Sequence, residues 1–472
     1  MALYSVPDEH YFRIHHPRPR FKGDFENVLI YMATEIVKLG EMNKESFNAA
    51  LNNAIKLYPG NLDKNPKTIN NWRTEIDSLF CFIEEHGDSL RPSRRAKELA
   101  DNQDLVKFFK LFCYSYQLPG GFIKPEKNMD CIHNKIDFRP ACYIVQMMRN
   151  AGVSTGRRVG INKAEATHCI FNDLRVTRDK RSVEDTWEII TENRSRGVDY
   201  DWQGDVIRYA GDILDYMLKA NLMERMPDSK YYLNENEALA LERFINPDEG
   251  FDYYQRLQPG FAISEVARLE KEWRDYFNRE ISDEYFDTDI IALVSDTAED
   301  YERLKRFIEN LDEIIESFGE ADYTTREIGN VGVNIVLVHE KNRISLEGRP
   351  DLAYLIKVIP DHLAVGYDIK SIEKNEDQRF VEVKTTFSPQ QLAFNRFHLT
   401  TNEWNAAKTH SNIYYVYRLM VTKRSIKLVL INDPVGLFRK EIIDGTPRDG
   451  MDMIFDPDVC GTEVELLIER AV

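Results

Sequence analysis

The sequence contains no apolar run near the ~20 residues that a membrane-spanning helix requires, so we do not expect a membrane protein. Its first residues, MALYSVPDEHYF, lack the basic and apolar regions of a secretory signal peptide. No low-complexity tract is present, and 43% apolar with 30% charged residues is typical of a soluble globular protein. These absences predict a cytoplasmic protein without a membrane partner.

The sequence also has few cysteines and no Cys-x-x-Cys pair. The six cysteines lie mostly in apolar segments that read as helices, which predicts buried, reduced thiols rather than disulfides. Cys131 and His133 have the spacing of half a zinc site, but no second pair of ligands follows them. We therefore expect no structural zinc.

Positive charge is scarce overall, because the net charge is −17, but the deficit is concentrated in one stretch. Residues 281–328 contain fifteen Asp and Glu against four Lys and Arg, which leaves about −6 for the rest of the chain. Binding to nucleic acid needs a local basic surface rather than a basic total. The charge balance therefore does not exclude a DNA-binding protein.

The pattern of apolar residues divides the 472-residue chain into four segments. Residues 1–150 show helical spacing, with helices predicted at 25–39, 44–57 and 68–84, and we interpret them as a helical DNA-recognition part. We interpret 151–280 as a winged-helix DNA-binding domain, 281–328 as an acidic connector with a helix at 298–318, and 329–472 as an α/β domain. The predicted protein is thus multidomain, with a mostly α-helical N-terminal half.

The winged-helix hypothesis depends on the order of elements in the second segment. Helices are predicted at 163–174, 183–194 and 205–220, and a hairpin turns around residues 227–229. A helical subdomain with one β-ribbon fits the same order. Clustered cations predict contacts with the phosphate backbone, although a solvated loop would also carry such charges; they are Arg157, Arg158, Arg175, Arg178, Lys180 and Arg181.

Two acids and a lysine interrupt apolar stretches of the C-terminal segment, in GYDIKSIEKNEDQRFVEVKTT. Because strand side chains alternate between faces, Glu382 and Lys384 share one face, and a hairpin would bring Asp368 beside them. Two carboxylates can hold Mg²⁺, and the lysine can orient a water and stabilise charge on phosphorus. A charged, solvated strand face would give the same pattern.

Several blocks of this segment resemble a known family. GRPDLAYLIKVIPDHLAVGYDIKSIE, RFVEVKTT and FHLTTNEWNAAK are similar to the NO VEIN-type C-terminal domain of the PD-(D/E)xK nuclease superfamily, over about 329–435. The resemblance implies a restriction-endonuclease-like fold, catalytic Asp368, Glu382 and Lys384, and Mg²⁺ (replaceable by Mn²⁺) on Asp368 and Glu382. The Asn402–Glu403–Trp404 block is interpreted as structural, with Trp404 in the core.

One departure from the family concerns the preceding helix. Many members carry a glutamate after a glycine there, whereas this chain has Gly332, Val333 and Asn334. A fourth carboxylate is therefore missing, which favours single-metal chemistry or an altered metal affinity.

The whole chain resembles a type II restriction endonuclease, with an N-terminal DNA-reading half and a C-terminal cleavage domain. The resemblance implies double-stranded DNA as partner, a homodimer for double-strand cleavage and a role in phage defence. A partner-activated anti-phage or toxin-like nuclease effector is one alternative. A non-catalytic DNA-binding regulator is another, and RNA or a branched junction stays open as substrate.

Overall fold

The structure is a computed structural model. It describes residues 3–16, 19, 21, 25–58, 60–281, 285–288, 293, 302, 328–359, 365–388, 395–422, 425–447 and 450–467. Most of the acidic connector, including its predicted helix at 298–318, lies outside the described residues. Within the described part of the chain, no helix has the length and apolarity needed to cross a membrane.

The chain divides into two compact units: Met1–Asp101 with Leu105–Asp287, and Asn102–Asp104 with Thr288–Val472. The described α-helices are α1 (Phe25–Leu39), α2 (Lys44–Leu57), α3 (Pro66–Thr74), α4 (Arg94–Asn102), α5 (Leu105–Ser115), α6 (Pro125–His133), α7 (Pro140–Thr155), α8 (Lys163–Ala166), α9 (Leu174–Thr177), α10 (Val183–Ser195), α11 (Asp205–Lys219), α12 (Ala238–Ile245), α13 (Ile263–Arg268), α14 (Glu270–Phe277), α15 (Ile328–Leu346), α16 (Thr401–His410) and α17 (Pro434–Arg439).

The described strands form four sheets. They are β1 (Met42–Asn43), β2 (Ile83–His86), β3 (Ser89–Pro92), β4 (Gly160–Ile161), β5 (Met223–Arg225), β6 (Tyr231–Leu233), β7 (Lys357–Val358), β8 (Ile369–Ile372), β9 (Gln378–Ser388), β10 (Arg396–Thr400), β11 (Tyr414–Thr422), β12 (Ile426–Asn432), β13 (Asp444–Pro447), β14 (Gly450–Ile454) and β15 (Thr462–Val464). The two small sheets of the first unit have the orders β1-β3-β2 and β4-β6-β5.

The predicted helical N-terminal half is confirmed, and α1 and α2 have the predicted bounds. The helix predicted at 68–84 is wrong in its second half: α3 ends at Thr74, a π-helical turn follows at Glu75–Leu79, and residues 83 and 84 lie in β2. The backbone of Cys81 has a φ of 50°, in the left-handed region, so the chain turns there and no helix continues.

The three-helix order predicted for the second segment is present, with one correction. The helix predicted at 163–174 is interrupted, because α8 ends at Ala166 and a π-helical turn occupies Thr167–Phe171. The side chain of Asp173 then caps α9 by accepting the N–H of Arg175. Helices α10 and α11 and the hairpin β5–β6 lie where the pattern predicts them.

Segments 1–150 and 151–280 share one aromatic core. Tyr216 of α11 stacks on Phe25 of α1 and on Phe109 of α5, each at 5.9 Å between ring centroids, and meets Phe112 edge-on at 5.1 Å. All four rings are buried. The domain boundary predicted at residue 150 therefore lies inside a single unit, whose parts are held together by apolar burial.

The second unit is built on a mixed six-stranded sheet of order β15-β12-β11-β9-β8-β7. Strands β9 and β11 are parallel, and the other neighbouring pairs are antiparallel. The predicted hairpin is formed by β8 and β9, and Glu376 in its turn has a φ of 71°. A second sheet has the order β10-β14-β13.

Helices cover both faces of the six-stranded sheet. Helix α15 approaches β9 so closely that a Cβ at Gly332 would lie 2.0 Å from Oγ1 of Thr385. The neighbouring Lys384 contacts α16 through Glu403. Because adjacent strand residues point to opposite faces, α15 and α16 lie on opposite sides of β9.

Candidate active site and basic surface

Asp368 is fixed to the strand that carries the other two predicted site residues. Its backbone N–H donates to the carbonyl of Val381 at 2.9 Å, and its Oδ2 accepts the N–H of Val383 at 2.7 Å. Val383 lies between Glu382 and Lys384 on β9. The structure therefore brings the predicted aspartate to the predicted Glu-x-Lys pair.

Glu382 and Lys384 share a face of β9, as the alternation predicts. Nζ of Lys384 lies 2.7 Å from Oε1 of Glu382. Both side chains are largely buried, with 5% of the Glu382 and 18% of the Lys384 side chain exposed. This burial distinguishes the pair from the solvated charges of an exposed strand face, where such pairs contribute little.

Glu403 also belongs to the site, although the sequence analysis did not place it there. Its Oε2 lies 2.8 Å from Nζ of Lys384 and also accepts the backbone N–H of Thr400 at 3.0 Å. The hydroxyl of Thr400 accepts the N–H of Glu403 in return, which completes a capping box at the start of α16. The Thr-x-x-Glu spacing predicted the cap but not the ion pair with Lys384.

The neighbouring Trp404 is half-buried and packs against the hydrophobic core of the second unit. The centroid of its ring lies 5.8 Å from that of Phe438. The sequence analysis placed Trp404 in the core, whereas the structure places it at the edge of that core, where it is only partly buried.

Gly366 allows α16 to approach the site. A Cβ at this position would lie 2.6 Å from the carbonyl oxygen of Asn402 and 2.9 Å from Cβ of Ala406, and the backbone φ is 81°. Glycine alone tolerates both the contact and the left-handed conformation. The glycine of the Gly-Tyr-Asp block thus permits the packing that places Glu403 near Lys384.

Arg418 supports β9 from the parallel neighbour β11. It is the register partner of Lys384, and its Nη1 donates to the carbonyl of Lys384 at 2.8 Å while its Nη2 donates to Oγ1 of Thr386 at 2.9 Å. Burial lowers the pKa of this guanidinium to about 9. In the sequence, the sign that Arg418 is unusual is that it is a single charged residue within the apolar strand YYVYRLMV.

Burial and neighbouring charges together determine the electrostatics of the site. Burial, together with the charge of Asp368, raises the pKa of Glu382 well above its ordinary value, and Lys384 only partly opposes the rise. Burial lowers the pKa of Lys384, but the surrounding carboxylates outweigh it and the net shift is upward. Burial raises the pKa of Glu403, but Lys384 and the hydrogen bonds from Thr400 outweigh it, so this pKa is lowered.

The donor set fits a hard divalent cation held by few protein ligands. Among the described residues, no group of three or more His, Cys, Asp or Glu side chains has the arrangement of a metal site. The predicted ligands are two carboxylates, Asp368 and Glu382. Mg²⁺ is usually held by one or two carboxylates and keeps several waters, so two oxygen ligands fit this ion, and its charge would relieve the repulsion between them.

Two of the six cations predicted to contact DNA are engaged with a buried carboxylate. Arg175 makes hydrogen bonds to both carboxylate oxygens of Asp173, and Nη1 of Arg181 lies 3.0 Å from its Oδ2. The Asp173 side chain is 0% exposed and that of Arg181 is 11% exposed. A buried carboxylate needs such partners, so these two arginines stabilise the fold.

Of the other four predicted cations, Arg157, Arg158 and Lys180 are exposed, whereas Arg178 is half-exposed like Arg175. Arg178 pairs with its neighbour Asp179, Lys180 pairs with Asp137, and Arg158 pairs with Glu224. Arg157 and Arg158 are exposed and line a 320 Å³ groove at the end of α7; the groove is also lined by Met148, Arg149, Gly152, Val153, Gly156, Val159, Leu233 and Glu235. Surface pairs of this kind are weak and can exchange a carboxylate for a phosphate.

Both parts of the chain match known families. Residues 4–274 match the family model described as "Restriction endonuclease BpuJI - N terminal", which covers more than half of the chain. Residues 331–431 match the model "Protein NO VEIN, C-terminal", which confirms the resemblance found in the C-terminal segment. No curated protein matches the chain.

One similar solved structure is described as "Crystal structure of pyrene- and phenanthrene-modified DNA in complex with the BpuJ1 endonuclease binding domain". It is 24% identical in sequence, with a TM-score of 0.52, and the match covers 58% of this chain and 100% of that chain. At this level of identity the likeness shows the fold alone.

Proposed function

This chain belongs to the restriction endonuclease BpuJI N-terminal family, and from that membership together with the site at Asp368, Glu382 and Lys384 we propose that it is a Mg²⁺-dependent, sequence-specific DNA endonuclease of the restriction type. Its first unit would bind double-stranded DNA and its second unit would hydrolyse the phosphodiester bond. The match to the family model, and the modified DNA in complex with the similar binding domain, support the first part. The arrangement of Asp368, Glu382 and Lys384 supports the second.

The observation that carries the catalytic proposal is the attachment of Asp368 to β9 beside Glu382 and Lys384. The order α15, β8, β9, α16, β11 around these residues supports a PD-(D/E)xK fold. Mg²⁺ bound by Asp368 and Glu382 would polarise the scissile phosphate and lower the pKa of a water.

Within that site, the chain's own residues have separate tasks. The half-buried carboxylate of Asp368 and the buried carboxylate of Glu382 would hold the cation. The ammonium of Lys384 would lie beside the phosphate and stabilise the negative charge that develops on its oxygens as the P–O bond breaks.

The topology of the first unit supports two winged helices. In the segment from α10 to β6, two helices precede a hairpin and the sheet order is β4-β6-β5. The segment from α1 to β3 repeats this arrangement, since α2 and α3 precede a hairpin in a sheet of order β1-β3-β2. In such motifs the last helix before the hairpin enters the major groove.

Helix α3 is better suited than α11 to read bases. It carries no acidic residue, and Lys67, Asn70 and Thr74 are exposed on it. Asn and Lys side chains form the hydrogen bonds that distinguish base edges. On α11, in contrast, Asp215 is engaged with Lys163 and Tyr231 within the fold.

The accessible cations would supply contacts with the phosphate backbone. We propose Arg157, Arg158, Arg178 and Lys180 for this role, because the first two and Lys180 are exposed, while the half-exposed Arg178 pairs with the exposed Asp179. Arg175 and Arg181 would contribute through the fold, by neutralising Asp173.

Cleavage of unmodified phage DNA tests the proposal. With Mg²⁺ or Mn²⁺ the purified protein should produce discrete ends, identified by sequencing, and EDTA should abolish them. Ca²⁺ should support binding better than cleavage. Undiminished cleavage in EDTA would refute the metal assignment. Binding without cleavage under all conditions would favour the DNA-binding regulator, and cleavage only with an added partner would favour the effector.

A further inference from the structure

We propose that Glu403 is a positioning residue that holds Lys384 in place while Glu382 binds the metal ion. The inference rests on the proposed nuclease function and assigns a part of the machinery that the predicted Asp-Glu-Lys set does not contain. Glu403 would act through Lys384 and would not itself bind the cation or the DNA.

The geometry gives Lys384 two anchors. Its Nζ lies 2.7 Å from Oε1 of Glu382 and 2.8 Å from Oε2 of Glu403. The two carboxylates come from different elements, because Glu382 lies on β9 and Glu403 in the first turn of α16. The ammonium is thus bound between the strand that bears the predicted metal ligands and a helix that bears none of them.

The two anchors differ in what else they do. Glu382 is a predicted metal ligand, so a bound cation would compete with Lys384 for its carboxylate and would repel the ammonium. Glu403 is committed to α16, because the same Oε2 accepts the Thr400 N–H and the Thr400 hydroxyl accepts the Glu403 N–H. Glu403 can therefore retain Lys384 when Glu382 turns to the metal.

The position of Glu403 at a helix N-terminus strengthens this role. The partial positive charge of the first turn stabilises a carboxylate there. With 16% of its side chain exposed, Glu403 is shielded from the water that weakens surface ion pairs. Lys384 is consequently held by a fixed anion whose orientation does not depend on the metal.

Glu403→Gln separates positioning from helix capping. Glutamine serves in a capping box as well as glutamate, so this variant keeps the cap and loses only the charge that binds Lys384. The matched variant Thr400→Ala does the opposite, since it removes the capping hydroxyl and leaves the carboxylate. If Glu403 only caps the helix, Thr400→Ala should be the more damaging change.

The experiment measures cleavage and metal binding separately. Single-turnover cleavage is followed over a series of Mn²⁺ concentrations, and Mn²⁺ binding without DNA is followed by calorimetry, for the wild type, Glu382→Gln, Glu403→Gln and Thr400→Ala. We expect Glu403→Gln to lose about 10- to 100-fold in cleavage rate, with little change in the protein concentration that gives half of the maximal single-turnover rate. The loss should persist at saturating Mn²⁺, and the variant should still bind Mn²⁺, whereas Glu382→Gln should not.

Each other outcome overturns the inference. A wild-type rate in Glu403→Gln would show that the residue only caps α16. Full recovery of its rate at high Mn²⁺ would show that it is a metal ligand. A wild type that neither binds Mn²⁺ nor cleaves DNA would refute the proposed function and this inference with it, and is recognised because it appears before any substitution is made.

Discussion

The carboxylate of Asp368 accepts the backbone N–H of Val383 at 2.7 Å, across the β8–β9 hairpin. This bond fixes the aspartate beside Glu382, whose pKa is raised by burial and by the charge of Asp368. The same contact that assembles the predicted metal site therefore also places two like charges together in the absence of a cation.

Asp368→Asn should remove that repulsion and the metal site together. The amide oxygen can still accept the N–H of Val383, so we expect the variant to be at least as stable as the wild type in EDTA. Mg²⁺ should raise the melting temperature of the wild type, because a ligand that binds only the native state stabilises it. Differential scanning calorimetry with and without Mg²⁺ should show no such rise in the variant; an equal rise would contradict the ligand assignment.

Lys384→Ala should abolish cleavage and leave the affinity for DNA within a few-fold, because the lysine acts on the transition state. Lys370→Ala is the matched control, since Lys370 follows Asp368 at the same acid-x-lysine spacing but lies on β8. The control should cleave at the wild-type rate. Fluorescence anisotropy in Ca²⁺ gives the affinity, and a loss of binding as large as the loss of cleavage would reduce Lys384 to a phosphate anchor.

Neutralising Arg178 and Lys180 should weaken binding to every DNA sequence alike. In Arg178→Ala/Lys180→Ala the plot of log affinity against log salt should flatten by ~0.9 for each lost phosphate contact. Base preference should survive, because phosphate contacts position a protein without specifying its site. Arg196→Ala is the control, since Arg196 is an exposed cation paired with Glu192 within α10 and its adjoining turn. An unchanged slope in the double variant would favour a solvated connecting loop.

Gly366→Ala should destabilise the second unit far more than Gly348→Ala. Both glycines have a positive φ, of 81° and 84°, but a Cβ at 348 would meet nothing within 4 Å. The backbone strain alone costs about 1–2 kcal/mol, whereas the added contact with Asn402 should bring the cost at 366 to about 3 kcal/mol or more. Urea unfolding measures both, and equal losses would show that α16 can move away without cost.

Glu340 should make stability depend on pH in the acid range. Burial raises the pKa of this carboxyl, but Arg343, Arg379 and Ser371 outweigh burial and lower the pKa to about 2. A lowered pKa means that its contribution is present above the ordinary value near 4.5 and is lost as the pH falls towards 2. The contribution is about 3 kcal/mol, at about 1.4 kcal/mol per pKa unit.

The free energy of unfolding of Glu340→Gln, measured against pH, checks this expectation. The difference from the wild type should be largest at neutral pH and should shrink between pH 4.5 and the acid transition. Glu347→Gln, at the exposed end of the same cluster around Arg343, is the control and should change little. A difference that stays constant with pH would mean that the charge of Glu340 is not what stabilises α15.

The sequence by itself determined the features that depend on neighbouring residues. Alternation along a strand placed Glu382 and Lys384 on one face, and helical spacing predicted α1 and α2. The Thr-x-x-Glu spacing predicted the start of α16. These features follow from periodicity and capping, which act within one or two turns of chain.

Only the tertiary structure determined which charged side chains contact partners that are distant in sequence. Lys384 pairs with Glu403, which is 19 residues away in sequence, and Glu340 accepts a hydrogen bond from Tyr417, which is 77 residues away. The boundary predicted at residue 150 lies within one compact unit, because Tyr216 stacks on Phe25 in a shared aromatic core. The packing of helices and sheets determines these pairings, because a buried charge is stable only when a polar or charged partner lies beside it. The local sequence pattern does not specify which distant residue becomes that partner.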